Sequence, residues 1–191
     1  MLDEILNVIF KTAYWLLVPA ALLRFYMQWV RITFRNPMGV FICAMTDWLV
    51  LPLRRILKGG FGLDWASLAA AAILELGLSA LFGLATGKLL LFKSGFLILA
   101  WLLNGVFGLM LTALTMMVWL TVACAILSWV RVDSPVSDAL DAITAPWLKP
   151  IRRRLPMVGG FDLSPLVLLV LLQIDMLLLA RGQGYALTAL H

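Results

Sequence analysis

Residues 36–68 read NPMGVFICAMTDWLVLPLRRILKGGFGLDWASL, and residues 134–166 read SPVSDALDAITAPWLKPIRRRLPMVGGFDLSPL. Aligned without gaps at an offset of 98, the two stretches share 10 of 33 positions. The matches are Pro37/Pro135, Ala44/Ala142, Thr46/Thr144, Pro52/Pro150, Arg54/Arg152, Arg55/Arg153, Leu57/Leu155, Gly62/Gly160, Asp64/Asp162 and Leu68/Leu166. Apolar bias alone would pair Leu with Leu and Ala with Ala. It would not pair Pro, Arg, Gly and Asp, so the chain carries an internal repeat. Upstream, Trp29-Val30-Arg31 matches Trp129-Val130-Arg131 at an offset of 100, and downstream the offset of 98 sets Glu75 opposite Gln173.

The repeat is embedded in apolar sequence. Of 191 residues, 63% are hydrophobic and only 13% charged, with a mean hydropathy of +1.02. A domain this small leaves too much surface exposed to hide that composition from water. A soluble enzyme and a disordered chain are both excluded, and the bilayer is the solvent. A crossing helix needs about 20 apolar residues. Four stretches supply them, at about 12–30, 65–86, 105–129 and 163–180, with Pro19 tolerated inside the first. Met38 to Leu51 is apolar but too short to cross and is interrupted by Pro52, so it reads as interfacial or re-entrant. Its counterpart after Ser134-Pro135 sets Val136, Leu140, Ile143, Trp147, Ile151 and Leu155 along one face of an amphipathic helix. Asn36-Pro37 and Ser134-Pro135 are helix starts, and Asp64 and Asp162 are helix caps.

The expected architecture is therefore all-α: four transmembrane helices in two tandem span–amphipathic helix–span repeats, residues 1–92 and 93–191. From Ser94 to Val130 no residue is charged. One helix of that length would measure about 55 Å against a hydrocarbon core of about 30 Å. Either it breaks near Asn104-Gly105 or it projects from the membrane. Whether residues 88–104 enter the membrane is left open. Asp3 and Glu4 stand where a signal peptide would be basic, so the first span is expected to be retained.

Charge sets the orientation. The segments 31–58 and 131–154 hold 10 of the 15 Lys and Arg residues, five each, which places both in the cytoplasm and both termini in the periplasm. The net charge of +5 reads as topology signal and not as a nucleic-acid footprint. Arg54, Arg55, Lys149, Arg152, Arg153 and Arg154 close the two amphipathic segments. They complement the helix dipole and form an interfacial basic patch suited to anionic lipid headgroups.

The chemistry-bearing residues are few. Glu75 is a charge in mid-span, which is costly unless paired, hydrated or protonated. Ala71, Glu75, Ser79, Gly83 and Gly87 recur every four residues, a small-residue row that lets helices approach closely. An intramembrane polar cluster of Arg24, Glu75, Gln173 and Asp175 is the expectation, acting as structural glue or as an ion path. Asp138 and Asp141 read as dipole-complementing residues of a first turn. Cys43 and Cys124 read as small buried hydrophobes. The single histidine is His191, and no Walker loop, G-x-S-x-G or H-E-x-x-H occurs. No enzyme, cofactor or metal site is expected.

The repeated order of span, Asn/Ser-Pro, short amphipathic helix, Thr, Pro-Leu/Ile-Arg-Arg, Gly-x-Asp and second span resembles the YggT family of bacterial inner-membrane proteins, in its two-copy proteobacterial form. The resemblance covers nearly the whole chain and is most specific over Thr46 to Asp64 and Thr144 to Asp162. It implies an inner-membrane location, no catalytic residues, and a loose connection to cell division, envelope or nucleoid organisation, or osmotic-stress tolerance with potassium uptake. Two readings follow. One is a non-enzymatic organiser of envelope or division, or a factor in osmotic adaptation, with lipid, homo-oligomeric or division-protein partners. The other is a small potassium or proton channel or transporter subunit.

Overall fold

In the computed structural model the described residues are 2–57, 63–85, 95–130, 134–154 and 162–188, and they form six α-helices. These are α1 (Leu2–Trp29), α2 (Pro37–Ile56), α3 (Trp65–Ala85), α4 (Gly95–Val130), α5 (Pro135–Arg152) and α6 (Ser164–Thr188). The order α1-α2-α3 repeats as α4-α5-α6, as the internal alignment predicts. Within each unit the long helices pack together, α1 on α3 and α4 on α6, and the middle helix touches both. Between the units α1 and α3 pack on α4, and α2 touches α5.

The starts of the middle helices follow from their caps. The Asn36 side chain accepts from Gly39 N at 2.6 Å and Ser134 Oγ from Ser137 N at 3.1 Å, each followed by Pro at the first helical position. The prolines within these helices do not end them. Pro52 lies inside α2, and Pro146 and Pro150 lie inside α5. A proline removes one N–H from the ladder and leaves the residue four before it short of a partner, a cost that tertiary packing can meet. Because α2 runs through Pro52 it is longer than the sequence reading allowed. It becomes the fifth helix among the described residues long and apolar enough to cross a membrane, with α1, α3, α4 and α6. The expectation of four spans is thus met by four helices plus one further candidate.

Of the two alternatives for the uncharged stretch, the unbroken one holds: α4 is continuous over 36 residues, since each interior Gly costs a helix only about 1 kcal/mol. One other expectation is corrected. On α5 the packed side is rotated from the predicted stripe. Ala139, Leu140, Ile143, Thr144 and Leu148 are buried, whereas Val136 and Trp147 are partly exposed. Trp147 sits at the rim because its indole N–H needs a partner. It donates to Tyr26 Oη at 2.8 Å, and Tyr26 Oη donates to the Ile143 carbonyl at 2.9 Å. That pair of bonds ties α1 of the first unit to α5 of the second.

One core runs through the seam between the units. Val18, Met27, Val50, Ala70, Ala71 and Ile143 in it are wholly inaccessible. A smaller cluster of Cys124, Leu148, Leu168 and Leu172 fills the second unit. The outer surface is apolar as well: Trp15, Phe41, Trp119, Val170 and Leu178 are exposed, as expected where lipid replaces water.

α1 ends in a Schellman turn, with Ile32 N bonded to Met27 O at 2.8 Å and Arg31 N to Gln28 O at 3.0 Å. The left-handed position that glycine usually fills is held by Arg31, at φ 60°.

The predicted small-residue row is only partly an interface. Ala71 is fully buried, and Ser79 Oγ accepts from Trp101 Nε1 of α4 at 3.0 Å. Gly83 has nothing near the position of a Cβ. Gly87 lies outside the described residues. The glycine that packing demands at a helix start is Gly39, where a Cβ would stand 2.6 Å from Phe34 Cα. Gly39→Ala is expected to lower stability by about 1–3 kcal/mol, and Gly83→Ala to leave it unchanged or raise it by up to about 1 kcal/mol. Thermal unfolding of the two variants in detergent micelles checks the contrast.

Candidate functional site

The repeated Pro-x-Arg-Arg and Gly-x-Asp motifs meet in space. Arg54 Nη2 lies 2.5 Å from Asp64 Oδ2, and Arg152 Nε lies 2.6 Å from Asp162 Oδ2. In each unit the first arginine of the pair, at the end of the middle helix, holds the acid that opens the following long helix. Asp64 also caps α3: its Oδ2 accepts from Ser67 Oγ at 2.6 Å and its carbonyl from Ser67 N at 3.0 Å. Asp162 Oδ1 accepts from Ser164 N at 2.9 Å. Burial alone would push the Asp64 carboxyl up. Arg54 and Ser67 outweigh it and hold that carboxyl below the usual carboxylate range. Asp162 shows the same balance, with burial opposed by Ser164 and Arg152 and the carboxyl again held low.

The two locks differ in shelter. Asp64 is 4% exposed and Asp162 18%, while the arginines are alike at 39% and 38%. Arg55, Lys149, Arg153 and Arg154 are exposed. Of the predicted basic patch, Arg54 and Arg152 are therefore committed to internal pairs, and four cations face outward.

The predicted polar cluster is not assembled. Arg24, 3% exposed, turns to α2: Nη1 donates to Thr46 Oγ1 and to Asp47 Oδ1, each at 2.7 Å. Thr46 Oγ1 in turn donates to Ile42 O at 2.7 Å. Gln173 and Asp175 are exposed on α6. The buried side of α6 is a narrow apolar strip through Leu168 and Leu172, and positions one and three residues past Leu172 fall to either side of it. The level of a residue along a span was legible; the direction in which it points was not.

Glu75 is 6% exposed on α3. Its carboxyl lies beside the Tyr14 hydroxyl of α1, and Tyr14 Oη lies 2.8 Å from Thr112 Oγ1 of α4. Glu75 Oε2 has no hydrogen-bond partner. Gly108 of α4 makes the room, because a Cβ there would run into the Glu75 carboxyl. Tyr14, Gly108 and Thr112 were missed by the sequence reading. Gly105 and Gly108, one turn apart in an uncharged helix, were the available signal.

A further site is a pair of equivalents. The offset of 100 that aligns Trp29 with Trp129 also sets Cys124 opposite Arg24. Arg24 bonds Thr46, and Cys124 lies 3.4 Å from the hydroxyl of Thr144, the repeat counterpart of Thr46. Cys124 Sγ donates to Asp141 Oδ1 at 3.2 Å, so Asp141 is more than a dipole complement. Among the described residues no three His, Cys, Asp or Glu gather as a metal site.

The family pattern described as CCB3/YggT matches residues 2–85 and 97–183, one match on each unit. "Uncharacterized protein YggT" of Escherichia coli (strain K12) is 36% identical over 155 residues, covering 80% of this chain and 77% of that protein. A Vibrio alginolyticus protein, "Uncharacterized protein in proC 3'region", is 34% identical over 170 residues, 88% of this chain and 89% of its own length. An "Uncharacterized protein" of Haemophilus influenzae is 30% identical over 153 residues, 79% and 78% of the two chains. No solved structure matches.

Arg54→Ala strands the sheltered Asp64 carboxylate and is expected to cost about 2 kcal/mol, reduced from the fully buried case because the guanidinium is exposed. Arg152→Ala is expected to cost at most about 1 kcal/mol. Because the folded Asp64 carboxyl sits below its unfolded value, its contribution is complete above about pH 4 and lost as the pH falls further. Unfolding midpoints of wild type and Arg54→Ala, followed from neutral to acid pH, should converge.

Proposed function

The chain belongs to the CCB3/YggT family, and on that premise we propose that it is a non-enzymatic multi-pass protein of the bacterial inner membrane that organises the cytoplasmic face of the envelope. In this reading α1, α3, α4 and α6 cross the bilayer. α2 and α5 lie at the cytoplasmic surface, and both termini are periplasmic. Each unit then holds two crossings, so the copies are parallel.

The observation that carries the reading is the duplicated Arg–Asp lock. It ties the end of each middle helix to the start of the next long helix, and it uses one arginine of each pair. The other, Arg55 or Arg153, stays exposed with Lys149 and Arg154. Cations next to a bilayer each gain about 1 kcal/mol from anionic lipid. A cleft of about 520 Å³ between the end of α1 and α5, bordered by Arg31 and Lys149, offers room for a headgroup. The left-handed Arg31 supports the same use. Such a position costs an L-residue about 1 kcal/mol, and strain kept at an exposed cation points to function. Envelope or division organisation, or osmotic adaptation, would act through partners docked on this basic layer. The rival ion path loses the residues meant to line it, since Arg24, Glu75, Gln173 and Asp175 have separate surroundings.

In a background of Cys43→Ala and Cys124→Ala, Arg55→Cys and Arg153→Cys should react with a membrane-impermeant maleimide only after the inner membrane is opened; labelling of intact spheroplasts would refute the orientation. Native mass spectrometry should show that Arg31→Gly and the triple change Arg55→Ala, Arg153→Ala, Arg154→Ala retain less phosphatidylglycerol. Arg31→Gly should at the same time unfold at a higher temperature.

A further inference from the structure

The buried carboxyl of Glu75 is not used by the interfacial reading. It lies where α1, α3 and α4 converge, on the seam between the two repeats, and its surroundings are an incomplete coordination shell. The Tyr14 hydroxyl stands beside the carboxyl. Thr112 Oγ1 lies 2.8 Å from that hydroxyl. Oε2 is buried with no donor. A carboxylate has about four acceptor positions, and the Tyr14 hydroxyl is the donor group set beside them.

The charge is also unbalanced. α4 carries no charged residue from Gly95 to Val130. From α1, Tyr14 is the titratable group against Glu75. Arg24 stands ten residues further along α1, about 15 Å away, and is bonded to Thr46 and Asp47. From α2, Asp47 is bonded to Arg24, and Arg54 is bonded to Asp64. A lone buried carboxylate in an apolar interior is costly enough that something must neutralise it. The donor set is oxygen only: two carboxyl oxygens, a phenol and an alcohol. Hard monovalent cations take oxygen ligands, and soft transition metals favour sulfur or imidazole. Gly108 is cut away so that the carboxyl can sit there. The site is thus shaped around this side chain and is more than an accident of its placement.

We propose that Glu75, Tyr14 and Thr112 form an occluded binding site for one monovalent cation, a proton or an alkali metal ion, at the seam between the two repeats. Its ligands come from both units, so occupancy links α1 and α3 to α4. A filled site holds the three helices together, and an empty one leaves a bare charge between them.

The purified protein, reconstituted in phosphatidylcholine nanodiscs, is treated with dicyclohexylcarbodiimide, which modifies protonated carboxyls from the apolar phase. Adducts are located by peptide mass spectrometry, which separates Glu75 from Asp175. If the occupant is a proton, Glu75 labelling falls at least about tenfold from mildly acidic to alkaline buffer and is indifferent to sodium or potassium chloride. If the occupant is an alkali ion, added sodium or potassium suppresses labelling by a similar factor at fixed pH, and choline chloride does not. Gly108→Ala, which keeps all three ligand residues but displaces the Glu75 carboxyl, should shift either dependence. Glu75→Gln should keep the helical circular dichroism of the wild type and lose the adduct. Glu75 that is never modified in folded protein, or is modified equally at every pH and salt, overturns the proposal. The arms do not depend on the basic patch, so failure here leaves the interfacial reading standing, and the reverse also holds.

Discussion

Each unit depends on a guanidinium from the end of its middle helix meeting a carboxylate at the start of its last helix. That contact fixes the end of the middle helix against the start of the long helix, in addition to the packing of the two helices on each other. It also decides what the adjacent arginine does: one guanidinium of each pair faces inward to the acid, and its neighbour is left to the surface. Burial sharpens this in the first unit, where the acid is almost wholly enclosed, and relaxes it in the second. The two units share a plan and differ in how firmly it is held.

That difference runs through the rest of the molecule. Where the first unit sets Arg24 against Thr46, the second sets the small thiol of Cys124 against Thr144. Where the first buries Glu75, the second has an exposed Gln173. The seam is asymmetric too. Tyr26 reaches across to Ile143 and Trp147, while its repeat counterpart Ile126 is exposed. Duplication supplies two copies of a frame, and the charged and hydrogen-bonding chemistry has gathered in the first.

Much of this frame was legible in the residues. The two-copy plan came from matched Pro, Arg, Gly and Asp at one offset, and of those Arg54, Arg152, Asp64 and Asp162 form the locks of the folded chain. The helix starts at Asn36 and Ser134 came from capping rules that depend only on local sequence. The polar cluster was not legible, because hydropathy gives the depth of a residue and not its azimuth. Arg24 could be seen to lie within a span; that it turns toward Thr46 and Asp47 depends on how α1 is rotated against α2. The extent of α2 was missed because Pro52 was read as a stop, although a proline breaks one bond of the ladder and packing can carry the helix past it. The role of Gly108 was only half legible: Gly105 and Gly108 mark a face of α4 that a neighbour can approach, but the sequence does not say that the neighbour is Glu75.

The unbroken length of α4 has a mechanical consequence. At 36 residues it measures about 54 Å, and fitting it into about 30 Å of hydrocarbon by tilt alone would take far more than the ordinary lean of about 20°. The excess is therefore carried outside the slab or absorbed by deforming it. Near the N-terminal end of α4, Trp101 is pinned to Ser79, and Asn104 accepts from Gln183 at 2.7 Å, so α3 and α6 are bound to that end of the helix. A bundle built this way feels the thickness of the bilayer around it. Thicker membrane covers the apolar overhang and thinner membrane bares it, so lipid composition becomes a force acting along α4.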